Sequence, residues 1–264
     1  MLLTIDVGNT NIEFGIYEGT ALKGTFRLMT KTSQTSDEIG LLVCEYFRRF
    51  DLSLDAVEDV IIASVVPGIM YSLKSAMIKY LRKKPLVVNE DVFPVLGFLG
   101  KASSKDLGAD RSVACMAAVE KYGAPLVVLD FGTATTVDAV DKNGVYVGGS
   151  ICTGLRLSMD ALAQNAAMLP NVDLTMPDTV LGYDTVTQIQ AGIVGGYVGS
   201  MEYLIRRTKA EMAERDDTIK VVATGGLAHL VADHSTAIDV IDSELILDGL
   251  VSIYRSYKEK LKSR

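Results

Sequence analysis

Asp6-Val7-Gly8-Asn9-Thr10-Asn11 follows the apolar run that opens the chain, and Asp130-Phe131-Gly132-Thr133-Ala134-Thr135-Thr136 follows a second apolar run near the middle. Each stretch places an acid, a glycine and polar side chains at the end of a buried strand. Two further strand-like segments with tight turns come after each one. The two acids are 130 − 6 = 124 positions apart in a chain of 264 residues. Because the pattern occurs twice at half-length, the sequence predicts two similar lobes, at 1–115 and 116–264.

The segments between these strands predict helices that flank the sheets. Thr35-Ser36-Asp37-Glu38 is a capping box and begins one helix. Apolar residues at helical spacing predict further helices at 108–122, 155–168, 185–212 and 244–262. Other apolar runs predict strands at 60–65, 85–88 and 219–223. Helices and strands that alternate after an antiparallel meander predict an α/β fold with mixed sheets.

The composition argues against several classes of function. The formal net charge is −7 and the chain has no basic run, so it is not expected to bind nucleic acid. Three widely spaced cysteines give neither a disulfide framework nor a zinc pattern. The first residues do not resemble a signal peptide, and no stretch reads as a membrane span. We therefore expect a small-molecule enzyme of the reducing cytoplasm, with no nucleic-acid or membrane partner.

The first turn has the parts that suit a phosphate group. Gly8 lets the backbone bend and approach a ligand, and the turn amides can donate to phosphate oxygens together with the Asn9 and Thr10 side chains. Asp6 can hold Mg²⁺ directly or through its water shell, since Mg²⁺ takes few carboxylates. A plain hairpin turn is the alternative interpretation, because Gly-Asn is common in turns.

The second turn, at 130–136, offers the same parts, and a plain turn is again the alternative. If the two turns face each other across a cleft, they can grip one triphosphate. Thr224-Gly225-Gly226 follows a strand and permits close approach of an adenine or ribose, although strand–glycine–helix turns are common. Neither the P-loop pattern nor G-x-G-x-x-G occurs, which argues against those nucleotide-binding folds.

Gly108-Ala109-Asp110-Arg111 has the chemistry expected at an acceptor site. Phosphoryl transfer needs an oriented acceptor hydroxyl, a group that receives its proton, and compensation of negative charge. Asp110 and Arg111 offer a carboxylate beside a guanidinium, and the helix dipole keeps an acid in the first turn ionised. The alternative is an aspartate that merely favours a helix start, next to a surface arginine.

Together these motifs resemble the superfamily of acetate and sugar kinases, Hsp70 and actin. With Ser64-Val65-Val66-Pro67, Gly108-Ala109-Asp110-Arg111 and Gly148-Gly149 in this order, nearly the whole chain resembles the type III pantothenate kinases. The resemblance implies two ribonuclease-H-like lobes with an ATP cleft between them, and usually a homodimer. It also implies ATP-dependent phosphorylation of pantothenate to 4'-phosphopantothenate, the first step of coenzyme A biosynthesis, with Mg²⁺ and a monovalent cation, K⁺ or NH₄⁺.

The resemblance also implies roles for individual residues. Asp110 is the expected catalytic base and Asp130 the expected ligand of the monovalent cation, while Asp6 is the candidate for Mg²⁺. Contacts with pantothenate are expected from Gly108, Ala109, Asp110, Arg111, Thr185 and Lys101. Contacts with ATP are expected from Asp6, Val7, Gly8, Asn9, Thr10, Asn11, Ile12, Glu13, Thr133 and Gly225. For Thr185, a threonine that simply starts a helix is the alternative.

The loop before Gly108 departs from the family pattern. Where the family usually has a tyrosine and an Asn-Pro pair, this chain has Lys101 and Ser103-Ser104, and Thr153-Gly154 replaces a later Pro-Gly. The Lys101 ammonium either reaches the pantothenate carboxylate or points to solvent. Two other functions therefore stay open: a nucleotide-binding regulator whose acceptor pocket has drifted, and a sugar or acyl kinase of the same superfamily, whose chains are normally longer.

Four glycines recur at helical spacing in the second half, at Gly192, Gly195, Gly196 and Gly199. Glycine costs helix stability, so a stripe of this kind predicts close approach of another helix. That helix belongs either to the second lobe itself or to a second copy of the chain across a dimer seam.

Overall fold

The structure is a computed structural model, and it describes residues 1–96, 107–212 and 218–263. Lys101 and Ser103-Ser104, on which the expectations for the acceptor loop rest, lie outside the described residues. Within the described ranges, no helix is both long enough and apolar enough to cross a lipid bilayer.

The chain divides into two compact units. One consists of Met1–Ala117 together with Leu245–Arg264, and the other is Ala118–Glu244. The lobes expected from the sequence differ in one respect, because 116–264 includes the last helix, and this helix groups with the first unit.

The first unit is built on a mixed sheet of five strands. Its strands are β1 (Leu2–Val7), β2 (Asn11–Glu18), β3 (Ala21–Met29), β4 (Asp59–Ser64) and β5 (Leu86–Val87). They lie in the order β3-β2-β1-β4-β5, and β1 runs antiparallel to β2 and parallel to β4. The central strand β1 is buried along nearly its whole length, as expected for a strand covered on both faces.

The second unit repeats this topology. Its strands are β6 (Leu126–Phe131), β7 (Ala134–Val140), β8 (Tyr146–Thr153), β9 (Lys220–Thr224) and β10 (Val240–Ile241). Their order is β10-β9-β6-β7-β8, so β6 to β10 take the places of β1 to β5 in the first sheet. β6 is again antiparallel to β7 and parallel to β9. The predicted α/β class with two mixed, ribonuclease-H-like sheets is therefore confirmed.

Helices flank both sheets. In chain order they are α1 (Ser36–Arg49), α2 (Met70–Ala76), α3 (Phe93–Leu96), α4 (Ala109–Tyr122), α5 (Leu155–Asn165), α6 (Thr185–Gln190), α7 (Gly196–Glu211), α8 (Ala228–Ala232) and α9 (Leu245–Lys262). The capping box of α1 is confirmed, since Thr35 Oγ1 accepts from the Glu38 amide and the Glu38 carboxylate accepts from the Thr35 amide. A single π-turn at Ala191–Gly195 joins α6 to α7.

Different helices cover the two faces of the first sheet. On one face, Ile39, Val43 and Phe47 of α1 pack with Leu73 of α2. On the other face, α4 and α9 supply a second apolar cluster. The core of this unit therefore has two layers of side chains, one on each side of β1 and β4.

Helix α9 is fixed to the first unit by a close helix contact. Leu247 and Leu250 pack with Leu2 and Tyr17. A Cβ added at Gly249 would lie 2.8 Å from the Cβ of Ala117, so only glycine permits this approach to α4. These contacts are the physical reason why the last helix belongs to the first unit.

Helix α7 provides the main cover for one face of the second sheet. Tyr197, Val198, Met201 and Ile205 lie in one apolar cluster with the residues of β6 and β9. The side chains that β6 points into this cluster include Leu129 and Phe131, which lie on either side of Asp130. Helix α7 therefore packs against the end of β6, where the second turn begins.

Candidate functional site

The first turn is closed by its own backbone and by β3. The Gly8 amide donates to the Asn11 carbonyl oxygen at 3.0 Å. Thr30, just beyond β3, donates its hydroxyl to the Gly8 carbonyl at 2.7 Å and its amide to the Thr10 carbonyl at 2.9 Å. The turn is therefore a preformed cradle, with the side chains of Asn9 and Thr10 exposed.

The structure places Gly108 beside the carboxyl end of β4, next to the end of β1. Val7 pairs with Ser64 in the parallel ladder, and the Val65 amide donates to the Val7 carbonyl at 3.1 Å. A Cβ added at Gly108 would lie 3.2 Å from Val65 Cγ1. Hence the first turn and the start of α4 occupy the same edge of the first sheet, the edge at which α/β sheets bind ligands.

Asp110 stands at the second position of α4. Its Oδ1 accepts from the Arg111 amide at 2.7 Å and lies 2.5 Å from the position of a Cβ at Gly108. The Asp110 carboxylate is half-buried in the first turn of a 14-residue helix, where the helix dipole favours its charged form. Ala109 is buried, and Ser112 donates its hydroxyl to the Gly108 carbonyl at 2.9 Å, which fixes the helix start.

In the second unit, Asp130 and Gly225 lie side by side. Asp130 pairs with Thr136 in β7 and with Thr224 in β9. Gly225 has a φ of +90°, and a Cβ there would meet Asp130 Oδ1 at 2.6 Å and the Phe131 amide nitrogen at 2.7 Å. The predicted Asp-x-Gly turn and the predicted Thr-Gly-Gly segment are thus brought together, and glycine is required at Gly225.

The tip of the second turn packs against the start of α5. The Gly132 amide donates to the Ala134 carbonyl at 3.2 Å, and the Gly154 amide donates to the Thr133 carbonyl at 3.1 Å. A Cβ at Gly154 would lie 2.4 Å from the carbonyl oxygens of both Gly132 and Thr133. Gly154 therefore holds the tip of the turn through its own backbone. This contact does not involve the side chain of Thr153, which stands where the family pattern has a proline.

Thr185 is the first residue of α6, after its capping residue Asp184. The Asp184 carboxylate accepts from the Thr187 amide at 2.9 Å, and this hydrogen bond lowers the pKa of Asp184. Thr185 is exposed at the rim of a groove of about 290 Å³. The groove is otherwise lined by Leu162, Leu169, Gln188, Ile189, Gly192 and Ile193.

The carboxylate oxygens of Asp6 and Asp130 can be compared with the needs of the cations that the resemblance implies. Asp6 is half-buried at the end of β1, beside the turn at Gly8, and a single carboxylate there suits Mg²⁺, which keeps most of its waters. The described residues contain no group of three or more His, Cys, Asp or Glu side chains placed to hold a metal ion. Asp130, with its carboxylate at the close approach of Gly225, offers oxygen to a monovalent cation. For both residues the chemistry of the carboxylate is compatible with the expected cation, and their roles as ligands stay predictions.

Three residues of the site have no local signal in the sequence. Thr30 and Gly154 hold the two turns through contacts with residues that are distant in the chain. Tyr197 bonds through its hydroxyl to Thr135, next to the second turn. Each can be identified only once the elements are assembled, because the partner comes from another strand or helix.

The two sheets and their flanking helices define the class of the protein by its fold, which is similar to that of proteins described as sugar kinases. A Campylobacter jejuni protein whose description assigns it to the Baf family of transcriptional activators is similar, with a TM-score of 0.61 at 20% identity over 97% of this chain and 99% of that one. A Sinorhizobium meliloti protein whose description suggests a 2-dehydro-3-deoxygalactonokinase has a TM-score of 0.62 at 13% identity, over 97% of this chain and 96% of that one. At these identities the likeness concerns the fold alone.

The sequence relationships are more specific. The family model for type III pantothenate kinase matches residues 2–207. A type III pantothenate kinase of Agathobacter rectalis is 42% identical over 260 residues, which cover 98% of this chain and 99% of the relative. The chain therefore belongs to the type III pantothenate kinase family.

Proposed function

We propose that this protein transfers the γ-phosphoryl group of ATP to the primary hydroxyl of pantothenate. The product is 4'-phosphopantothenate, and the reaction is the first step of coenzyme A biosynthesis. Membership of the family along the whole chain supports this activity. The structural observation that carries it is the position of Asp110, at the same sheet edge as the first turn.

The first unit supplies the acceptor chemistry and part of the nucleotide site. Asp110 orients the acceptor hydroxyl and receives its proton late in the transfer, while Arg111 compensates negative charge on the acceptor. The segment 6–13 contacts the phosphates of ATP, chiefly through the amides and side chains around Gly8. Gly108 and Ala109 contact pantothenate from the start of α4.

The second unit also carries residues that we assign to the nucleotide. Thr133 at the tip of the second turn contacts ATP, and Gly225 admits the nucleotide close to the backbone. Asp6 would hold Mg²⁺ and Asp130 would hold K⁺ or NH₄⁺, and these cations would supply positive charge beside the phosphates.

The proposal extends to the acceptor pocket and the assembly. Thr185 contacts pantothenate, and Lys101 takes part if its ammonium reaches the pantothenate carboxylate. The protein acts as a homodimer, which the open glycine face of α7 supports. A cytoplasmic location agrees with three cysteines that are all free thiols.

The experiment that tests the proposal is ADP release by the full chain with and without pantothenate. It is run in K⁺, in NH₄⁺ and in Na⁺ at constant ionic strength. We expect ADP release that depends on pantothenate and falls when Na⁺ replaces K⁺. ATP binding without ADP release under any cation would favour the regulator, and equal rates in K⁺ and Na⁺ would remove the cation from the proposal.

A further inference from the structure

The second turn has a defined point at which it leaves the sheet. Phe131 in β6 and Thr135 in β7 form the last pair of the β6–β7 ladder, and Gly132-Thr133-Ala134 connects them, with Ala134 still paired to Thr153 of β8. Any side chain that fixes both members of this last pair therefore fixes the base of the turn.

Tyr197 of α7 contacts both members of that pair. Its hydroxyl makes a short hydrogen bond with Thr135 Oγ1. The centroid of its ring lies 6.4 Å from that of Phe131, and the two ring planes are tilted by 56°. Tyr197 is 9% exposed, and Thr135 is completely buried. The contact is thus shielded from water, where a hydrogen bond is costly to lose.

The helix that carries Tyr197 is firmly held. Its neighbours Val198 and Met201 are buried in the core of the second unit. In the neighbouring strand β8, the Cys152 thiol donates to the Thr135 carbonyl at 3.4 Å. The base of the turn is therefore clamped between a helix and an edge strand.

Burial raises the pKa of Tyr197 to about 12. The phenol therefore stays protonated at physiological pH, and its hydrogen bond with Thr135 does not titrate there. An effect of this hydroxyl on turnover should accordingly be the same from neutral to mildly alkaline pH.

We infer that Tyr197 is a positioning residue for the second phosphate turn, acting through Phe131 and Thr135 on Gly132-Thr133-Ala134. The inference rests on the proposed function, because it assumes that this turn contacts ATP. This positioning role differs from a purely structural role in the core. A structural role predicts lost stability without a change in nucleotide affinity.

The test uses Tyr197→Phe in the full chain, which removes one hydroxyl and keeps the ring. We expect the Kd for ATP to rise and kcat/KM for ATP to fall by about 5- to 10-fold, the effect of one buried hydrogen bond. The KM for pantothenate and the shape of the pH profile should not change. Thr135→Val should have the same effect, and the double variant should be no worse than either single one, because the two changes remove the same bond.

Tyr254→Phe is the matched control. Tyr254 also has a pKa raised to about 12, with burial as the main cause, and its hydroxyl also makes a short hydrogen bond, to Asp59 at the first position of β4. This control should lower stability and leave the Kd for ATP unchanged.

Two results separate the inference from the proposed function. If the wild-type chain binds ATP and Tyr197→Phe binds it equally well, Tyr197 only supports the core and the inference is overturned, while the proposed function stands. If the wild-type chain binds no ATP, the proposed function fails, and the inference fails with it.

Discussion

At the scale of single residues, two adjacent glycines of the candidate site differ in the space that their surroundings leave for a side chain. Gly225 has a positive φ, and its α-carbon lies against Asp130 and Phe131. Gly226 has open space around the position of its Cβ, with no atom of the described chain within 4 Å. The requirement for glycine therefore belongs to Gly225 alone.

Gly225→Ala should destabilise the protein and weaken ATP binding. The new methyl group would overlap the Asp130 carboxylate in a backbone conformation unfavourable to alanine, at a cost of about 1–3 kcal/mol. Urea denaturation and ATP titration of the folded variant measure the two effects. Gly226→Ala is the control for stability and should unfold near the wild-type midpoint; a Gly225→Ala midpoint equal to that of the control would refute the contact.

Part of the site could be predicted from the sequence and part could not. The difference depends on whether the residues in contact are close in the chain or are brought together by packing. The acids and glycines of each turn are close in the chain, so the sequence shows them as candidates for a phosphate-binding turn, with a plain turn as the alternative. The contact of Gly225 with Asp130 joins residues that are far apart in the chain, and the sequence shows only that both end strands. For Thr30 and Tyr197 the functional contact is made entirely by tertiary packing, and nothing in their local sequence indicates it.

At the scale of elements, periodicity predicts a helix and its apolar face, but not its partner. The final helix was expected at 244–262 and is found at Leu245–Lys262, yet its packing on the first sheet could not be read from its pattern. In α1, apolar residues at helical spacing predict one buried face that includes Ile39, Leu42 and Val43, yet Leu42 is 39% exposed. The buried face is rotated because Tyr80 packs on Gly40, where a Cβ would lie 2.1 Å from the ring.

Helix α9 is also tied to the first sheet by a polar contact that should make stability depend on pH. Burial raises the pKa of Asp59, but hydrogen bonds from Tyr254 and Lys258 outweigh it and leave the pKa below the usual 3.8. A lowered pKa in the folded state means that the stabilising effect is complete above the unfolded pKa and is lost as pH falls through the folded one.

Asp59→Asn should therefore cost stability at neutral pH and little in acid. We expect a loss of about 1 kcal/mol near pH 7, given that both Asp59 and Lys258 are partly exposed. The difference from wild type should shrink as pH falls below 3.8. Urea denaturation of both proteins across this range measures it, and a difference that stays constant into acid would show that the charge of Asp59 is not what holds α9.

At the scale of the whole molecule, the glycine stripe of the π-turn and α7 faces away from its own unit. Gly192, Gly196 and Gly199 have no atom of the described chain within 4 Å of a built Cβ, and Gly195 approaches only the Met176 sulfur, at 3.9 Å. Packing within the second unit therefore does not account for three of the four glycines. The dimer seam is the interpretation of the stripe that we retain as a proposal.

Gly199→Gln should separate the dimer from the monomer. Glutamine is the better helix former by about 1 kcal/mol, so the isolated chain should be at least as stable as wild type. Its long side chain would prevent close approach of a second helix. Sedimentation velocity should show the mass of a monomer for the variant and of a dimer for wild type, whereas an unchanged dimer would place the seam elsewhere.

We propose Asp110 as the base in phosphorylation of pantothenate, and the yield of phosphorylated product measures this role. The amount of 4'-phosphopantothenate formed from ATP and pantothenate should be measured by mass spectrometry for wild type and Asp110→Asn, with ATP binding titrated on the same samples. We expect product equal to the ADP released in wild type, a rate lower by about 10²-fold or more in Asp110→Asn, and ATP affinity nearly unchanged. Product formation by Asp110→Asn at the wild-type rate, or ADP released by wild type without phosphopantothenate, would contradict the account.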